Sequence, residues 1–192
     1  MAQKRYRLGE MIETLHELDR ELFLFLNGLG HPYLDQFMIW MSAKLIWIPL
    51  YLLIIGFLIK RYRKNAWIPI LLIIAAVGLS DFITSGLMKP LFERLRPCRD
   101  PDLTGLVVNI GGCGKYGFAS SHAANTMALA VFVQLLYRNG FGLTLIGWSV
   151  LVSYSRIYLG VHYPGDILAG MFIGTVFAGS LYFLVLPKTL RN

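Results

Sequence analysis

Four stretches of this chain are long and apolar enough that water is a poor solvent for them: residues 37–59, 66–87, 141–158 and 167–186. A helix needs about 20 apolar residues to cross the roughly 30 Å hydrocarbon core of a bilayer, so each stretch reads as a transmembrane helix. A fifth run, 121–137, is shorter and opens on polar residues. Its place between two spans makes it a fifth crossing. Backbone in lipid must satisfy its own hydrogen bonds. The expected fold is therefore all-α, an integral membrane helical bundle of about five transmembrane helices. Composition agrees, with 56% hydrophobic and only 15% charged residues, against about 25% charged in soluble domains. The net charge of +7 comes from basic residues at the ends of apolar runs. That pattern suits lipid headgroups or an anionic substrate. A nucleic-acid partner is not expected, because no basic stripe lies on a soluble face.

Residues 8–34 differ. Leu15, Leu18, Leu22, Phe25 and Leu29 recur at steps of three and four, while Glu13, Glu17 and Arg20 occupy other faces. Such amphipathic spacing suits a helix lying in the membrane interface or one packed on the side of the bundle, and the pattern leaves both open. The chain thus divides into an amphipathic N-terminal segment, 1–35, and a transmembrane core, 36–192. MAQKRYR is basic, but five acids follow before any apolar stretch, so no cleaved signal is expected. The cluster KRYRK at 60–64 sets the orientation, because short basic loops stay cytoplasmic. Alternation then sends 88–120 and 160–166 outside, and 138–140 and the tail with Lys188 and Arg191 inside. Five spans leave the basic N-terminus outside, against that rule, unless the N-terminal helix makes a shallow re-entrant crossing. Cys98 and Cys113 both fall in the outer loop, a candidate disulfide in an oxidising compartment.

Three polar constellations interrupt the apolar chain, all on the predicted outer side. The first is KPLFERLRP, with Lys89 and Arg96; the second is ASSHAAN, with Ser120, Ser121 and His122; the third is SRIYLGVHYPGD, with Ser155, Arg156, His162 and Asp166. Lys89, Arg96 and Arg156 supply three positive charges, and the arginine fork matches phosphate oxygens. Ser120 adds a hydroxyl, and the N–H groups of Ser121 and His122 would open a helix whose dipole favours an anion. This is a phosphate cradle with no need for a metal, and nearby acids are too few to hold Mg²⁺. His162 and Asp166 are four apart, with Pro164 suited to a first helical turn. The carboxylate would fix the imidazole tautomer and leave the other nitrogen as a nucleophile. His122 remains as the general acid. His16 and His31 lack such company and read as surface or interfacial residues. Lys44 reads as snorkelling or capping a polar contact. Asp81, inside a span, is a functional suspect with an expected supporting role behind Lys89.

Lysine, six residues, arginine–proline; serine two before histidine; serine–arginine, five residues, histidine, three residues, aspartate: this order resembles the type 2 phosphatidic acid phosphatase superfamily over about residues 85–180. The resemblance implies a helical core with its site at the outer membrane face. It implies phosphate binding by Lys89, Arg96, Ser120 and Arg156, His162 as nucleophile, Asp166 as its partner and His122 as acid, with no cofactor. The second block departs from the family's proline–serine–glycine–histidine, reading Ala119, Ser120, Ser121, His122, so a Cβ stands where backbone should approach phosphate. The five-span layout is similar to bacterial undecaprenyl-diphosphate phosphatases of the inner membrane. Lipid A phosphatases and phosphatidylglycerophosphate phosphatases share the core and are the alternatives. A haloperoxidase holding vanadate and a non-catalytic lipid-binding or flipping protein are the readings from other classes. The expected partners are a lipid phosphate and the bilayer, and the oligomeric state is left open.

Overall fold

The computed structural model describes the backbone of residues 2–186 and the side chains of residues 9–186; the expected inward tail with Lys188 and Arg191 lies outside them. Among the described residues the chain is all-α, with a single isolated bridge between Leu95 and Tyr116. The α-helices are α1 (Ala2–Asn27), α2 (Pro32–Ser42), α3 (Ile48–Tyr62), α4 (Trp67–Asp81), α5 (Lys89–Phe92), α6 (Ser121–Tyr137), α7 (Gly140–Tyr158) and α8 (Pro164–Ser180).

The expected first span is broken. α2 ends at Ser42, and a 3-10 turn over Lys44–Trp47 leads into α3. The break falls at Ala43, whose backbone is extended; Pro49, which has no N–H, sits in the first turn of α3, where none is needed. Among the described residues, three continuous helical stretches are long and apolar enough to cross a membrane: Lys44–Asn65, Trp67–Phe92 and Pro164–Val185. α6 and α7, with 17 and 19 residues, complete the five expected long helices. α6 can be less apolar because its neighbours shield it. Ala123, Ala124, Ala128, Ala130 and Phe132 are all fully buried. Leu52, Ile74, Leu168 and Phe172 on the outer helices are exposed, which suits a lipid-facing belt.

Two features aim the polar blocks. α8 carries Gly170 and Gly174, and a Cβ at either would overlap the carbonyl oxygen of Ser120 or Ala124 in α6. This small-xxx-small spacing lets the two backbones touch and brings both helix starts together. α4 continues through a π-helical stretch, Phe82–Met88, into α5, and the Lys89 N–H bonds the Thr84 carbonyl five residues back. Such widened turns occur often at functional positions; this one delivers Lys89 to the end of the span. At the opposite end, the Arg61 guanidinium lies 5.1 Å from the Tyr137 ring centre. KRYRK and the end of α6 therefore share one end of the bundle, and the start of α6 lies at the other.

α1 uses two faces. Leu15, Leu18, Leu22, Phe25 and Leu29 are exposed, whereas Phe23 and Asn27 are buried. Phe23 packs edge-on against Tyr163. Asn27 donates to the carbonyls of Val108, Ile157 and Tyr158 and accepts from the Val108 N–H. The apolar stripe thus faces away from the bundle while a narrower seam fastens the helix to α7 and the outer loop.

Candidate active site

The starts of α6 and α8 are fastened directly: the Ser120 N–H donates to the Asp166 carbonyl at 3.0 Å. Ser120 caps α6, its hydroxyl accepting from Ala123 N at 3.5 Å, and is fully buried. At the α8 start, Pro164 occupies the first turn and Asp166 forms a capping box with Tyr163. The Asp166 Oδ2 accepts from the Tyr163 N–H at 3.1 Å and lies 3.2 Å from His162 Nδ1. With the proton on Nδ1, Nε2 keeps a free lone pair. His162 and Asp166 are 2% and 0% exposed, so neither can be excused as a surface contact. Burial pushes the His162 pKa down to about 4, with Asp166 opposing and Arg96 and Arg156 reinforcing the shift.

α7 ends just before the dyad. Gly160 has φ +75, and a Cβ there would meet the Val108 carbonyl oxygen at 2.7 Å, so only glycine fits this left-handed turn. Arg156, one turn earlier, bonds the Ser42 hydroxyl at the α2 end. Its Nε is buried with no hydrogen-bond partner among the described residues. A buried donor without an acceptor costs about 1–3 kcal/mol, so this nitrogen is available to an acceptor from outside the chain.

The first block folds back on the loop that precedes α6. Arg96 N bonds the Lys115 carbonyl and Gly117 N bonds the Arg94 carbonyl. A Cβ at Gly117 would lie 2.8 Å from Asp166 Oδ2 and 3.3 Å from Arg96 Cγ, so the loop backbone lies against the dyad. Arg96 Nε donates to the Tyr116 carbonyl at 3.0 Å. The same loop is closed by a disulfide between Cys98 and Cys113, with Cα atoms 6.2 Å apart. Lys89 Nζ donates to the hydroxyls of Ser121 at 2.7 Å and Ser85 at 3.1 Å. Ser121, at the position where the resemblance leads one to expect glycine, thus accepts a hydrogen bond from Lys89.

His122 lies within electrostatic reach of Arg156, His162 and Lys89. It lines a mostly apolar cavity of about 560 Å³ together with Lys44, Asn125, Ile55, Ile74 and Trp148. Ile55 and Ile74 are themselves exposed, so the cavity reaches the lipid-facing surface. Lys44 is exposed and also within electrostatic reach of Lys89. Asp81 stands behind Lys89, accepting from Asn125 Nδ2 at 3.0 Å. His16 is exposed, and His31 caps α2 through a long bond from the Tyr33 N–H.

Several residues at the site carry no sequence expectation. Arg94 bonds Asp166 Oδ1 at 2.9 Å and Asp19 Oδ2 at 2.7 Å. Ser42 reaches Arg156, and Ser85 reaches Lys89 and Ser121. Arg94 had a readable signal, because Arg-x-Arg in an extended segment puts both side chains on one face. Asp19 and Ser42 had none, since each joins the site only through long-range packing.

Together, the arrangement pairs a neutral, oriented imidazole with a second histidine and with cationic donors from the first and third polar blocks. Such a set has the donors an anion would need and a nitrogen with a free lone pair. Comparison with known proteins points the same way. The chain is 37% identical over 183 residues to the lipid A 4'-phosphatase of Bacteroides thetaiotaomicron, covering 93% of this chain and 81% of that one. It is 39% identical over 176 residues to the lipid A 4'-phosphatase of Porphyromonas gingivalis, covering 89% and 74%. An undecaprenyl-diphosphatase of Sulfolobus acidocaldarius is 30% identical over 158 residues, covering 81% and 72%. The fold matches the crystal structure of a transmembrane PAP2 type phosphatidylglycerolphosphate phosphatase from Bacillus subtilis, with TM-score 0.66, 21% identity and coverage of 93% and 87%. The PAP2 superfamily model matches residues 66–189, a stretch that holds all three polar blocks, and the chain belongs to that superfamily.

Proposed function

We propose that this protein is a metal-independent phosphatase of lipid A-type phosphomonoesters, working through a phosphohistidine at the outer face of the bacterial inner membrane. The observation that carries the chemistry is the buried His162–Asp166 pair beside the unsatisfied Arg156 Nε. His162 Nε2 attacks phosphorus as the bond to the lipid oxygen breaks, and His122 gives that oxygen a proton. Water then attacks the phosphohistidine and passes a proton to His122; the P–N bond breaks and inorganic phosphate leaves. Lys89, Arg96, Ser120, Ser121 and Arg156 hold the phosphoryl oxygens, whose charge grows in the transition state. The apolar cavity beside His122 takes part of the lipid tail, on the leaving-group side.

The layout in sequence favours undecaprenyl diphosphate as substrate. The two relatives at 37% and 39% identity are lipid A 4'-phosphatases, and they move the reading to its alternative. A panel in one detergent, with EDTA throughout, tests both steps. Lipid A, undecaprenyl diphosphate, phosphatidylglycerophosphate and phosphatidic acid are compared by phosphate release. Lipid A is expected to give the highest kcat/KM, with EDTA without effect and His162→Ala inactive. Loss of activity in the chelator would remove the metal-free mechanism. Binding without hydrolysis would favour a lipid carrier instead.

A further inference from the structure

The arginine that holds the Asp166 carboxylate is itself held by a part of the chain outside the superfamily match at 66–189. Asp166 is completely buried, and a buried carboxylate needs a counter-charge and filled lone pairs. Its Oδ2 serves the His162 ring and the Tyr163 N–H; its Oδ1 takes Arg94 NH1 at 2.9 Å. Arg94 is not free to do this alone. Its NH2 is gripped by Asp19 Oδ2 of α1 at 2.7 Å, and its guanidinium carbon lies 4.2 Å from the Tyr163 ring centre. Asp19 Oδ1 accepts from the Gly165 N–H at 2.7 Å, one residue before Asp166. A Cβ on Gly165 would lie 2.7 Å from Asp19 Oδ2, so the close approach depends on glycine there. The circuit closes: Asp19 to Arg94, Arg94 to Asp166, Asp166 through one peptide to Gly165, and Gly165 back to Asp19.

We infer that Arg94 and Asp19 are positioning residues for the phosphatase reaction, and that the N-terminal helix α1 is a working part of the active site. The claim rests on the reading of His162 as nucleophile. Arg94 points at the far oxygen of Asp166, away from the His162 ring, so its effect falls on the dyad's orientation. Asp19 fixes Arg94 and the first turn of α8 at once. Loosening either lets the Asp166 carboxylate rotate and swings the imidazole off its line to phosphorus.

The test compares Asp19→Asn, Arg94→Ala, Arg94→Lys and the Asp19→Asn/Arg94→Ala double variant of the full chain in detergent. Each is assayed on p-nitrophenyl phosphate and on a lipid phosphate, with the Ki of inorganic phosphate. Asp19→Asn keeps an oxygen for Gly165 but turns a donor toward Arg94, so it breaks the ion pair with least disturbance. Arg94→Ala should lower kcat about 100-fold, the scale of a small misplacement of a reacting group. KM and phosphate Ki should stay within about twofold, Arg94→Lys should recover part of the loss, and Asp19→Asn should lose about tenfold. The double variant should resemble Arg94→Ala alone, because coupled residues are not additive. A rise in KM and Ki together at unchanged kcat would make Arg94 a phosphate ligand and overturn the inference. So would additive losses, or Asp19→Asn at the wild-type kcat. If Arg94→Ala does not fold, Asp19→Asn and Arg94→Lys carry the test. His162→Ala runs alongside: activity there sinks the nucleophile reading, whereas an inactive His162→Ala beside an unimpaired Asp19→Asn sinks only the positioning circuit.

Discussion

An imidazole attacks phosphorus only while one ring nitrogen keeps its lone pair. Burial holds His162 near a pKa of about 4, against the opposing pull of Asp166, so the ring is uncharged at neutral pH. As the proposed nucleophile, the ring is lost only as pH falls through that value. The acid limb of kcat/KM, corrected for ionisation of the substrate, is therefore expected well below the 6.5 of an ordinary histidine. A limb near 6.5 would show the ring solvated in the working enzyme. The dyad was legible because a four-residue spacing across Pro164 can be read from one short segment. Lys89, Arg96 and Arg156 were legible as cations stranded at the ends of apolar runs. Arg94 is less legible, because Arg96 two residues on carries the same charge. Its distinct task exists only where the loop at 115–117 and Asp19 of α1 meet it.

Among the elements, the loop between α5 and α6 is the one with least helical support, and the Cys98–Cys113 bond closes 15 positions of it. Closing a loop of that size is worth about 3 kcal/mol in the chain-entropy account. The loop also carries Tyr116, whose carbonyl holds Arg96 Nε. Replacing both cysteines by serine is expected to lower the melting temperature in detergent and to raise KM for the lipid phosphate. The kcat should change less, because Arg94, which holds Asp166, lies outside the stretch that the disulfide closes and stays tied to Asp19. A double variant with wild-type melting and KM would mean the loop is held by its other contacts. Five long apolar or buried helices were readable from hydropathy, but their ends were not. The break at Ala43 moves the start of α3 to Ile48, and the π-helical stretch at Phe82–Met88 extends the next span through Phe92. A break in a run this apolar is outweighed by hydropathy when the window is long. The contact of Gly170 and Gly174 with α6 needed the partner helix to be known before its spacing meant anything.

Across the whole molecule, the basic KRYRK loop and the three polar blocks lie at opposite ends. Lys60–Lys64 lies where α6 finishes, and the three polar blocks lie where α6 and α8 begin. α1 belongs to the second end through Asp19, Phe23 and Asn27, with its exposed leucines turned outward as an interfacial helix would turn them. The charge rule left the side of this helix in conflict; packing against residues 94, 108 and 163 decides it in favour of the site. Short basic loops resist translocation, so the end with KRYRK should stay in the cytoplasm and the site should face out. Right-side-out membrane vesicles are then expected to hydrolyse the impermeant p-nitrophenyl phosphate at the same rate with and without detergent. Inverted vesicles should be nearly silent until detergent opens them. The reverse latency would place the phosphatase chemistry on the cytoplasmic face. The same helices would then have to be threaded with KRYRK outside, against the strongest topological signal the chain carries.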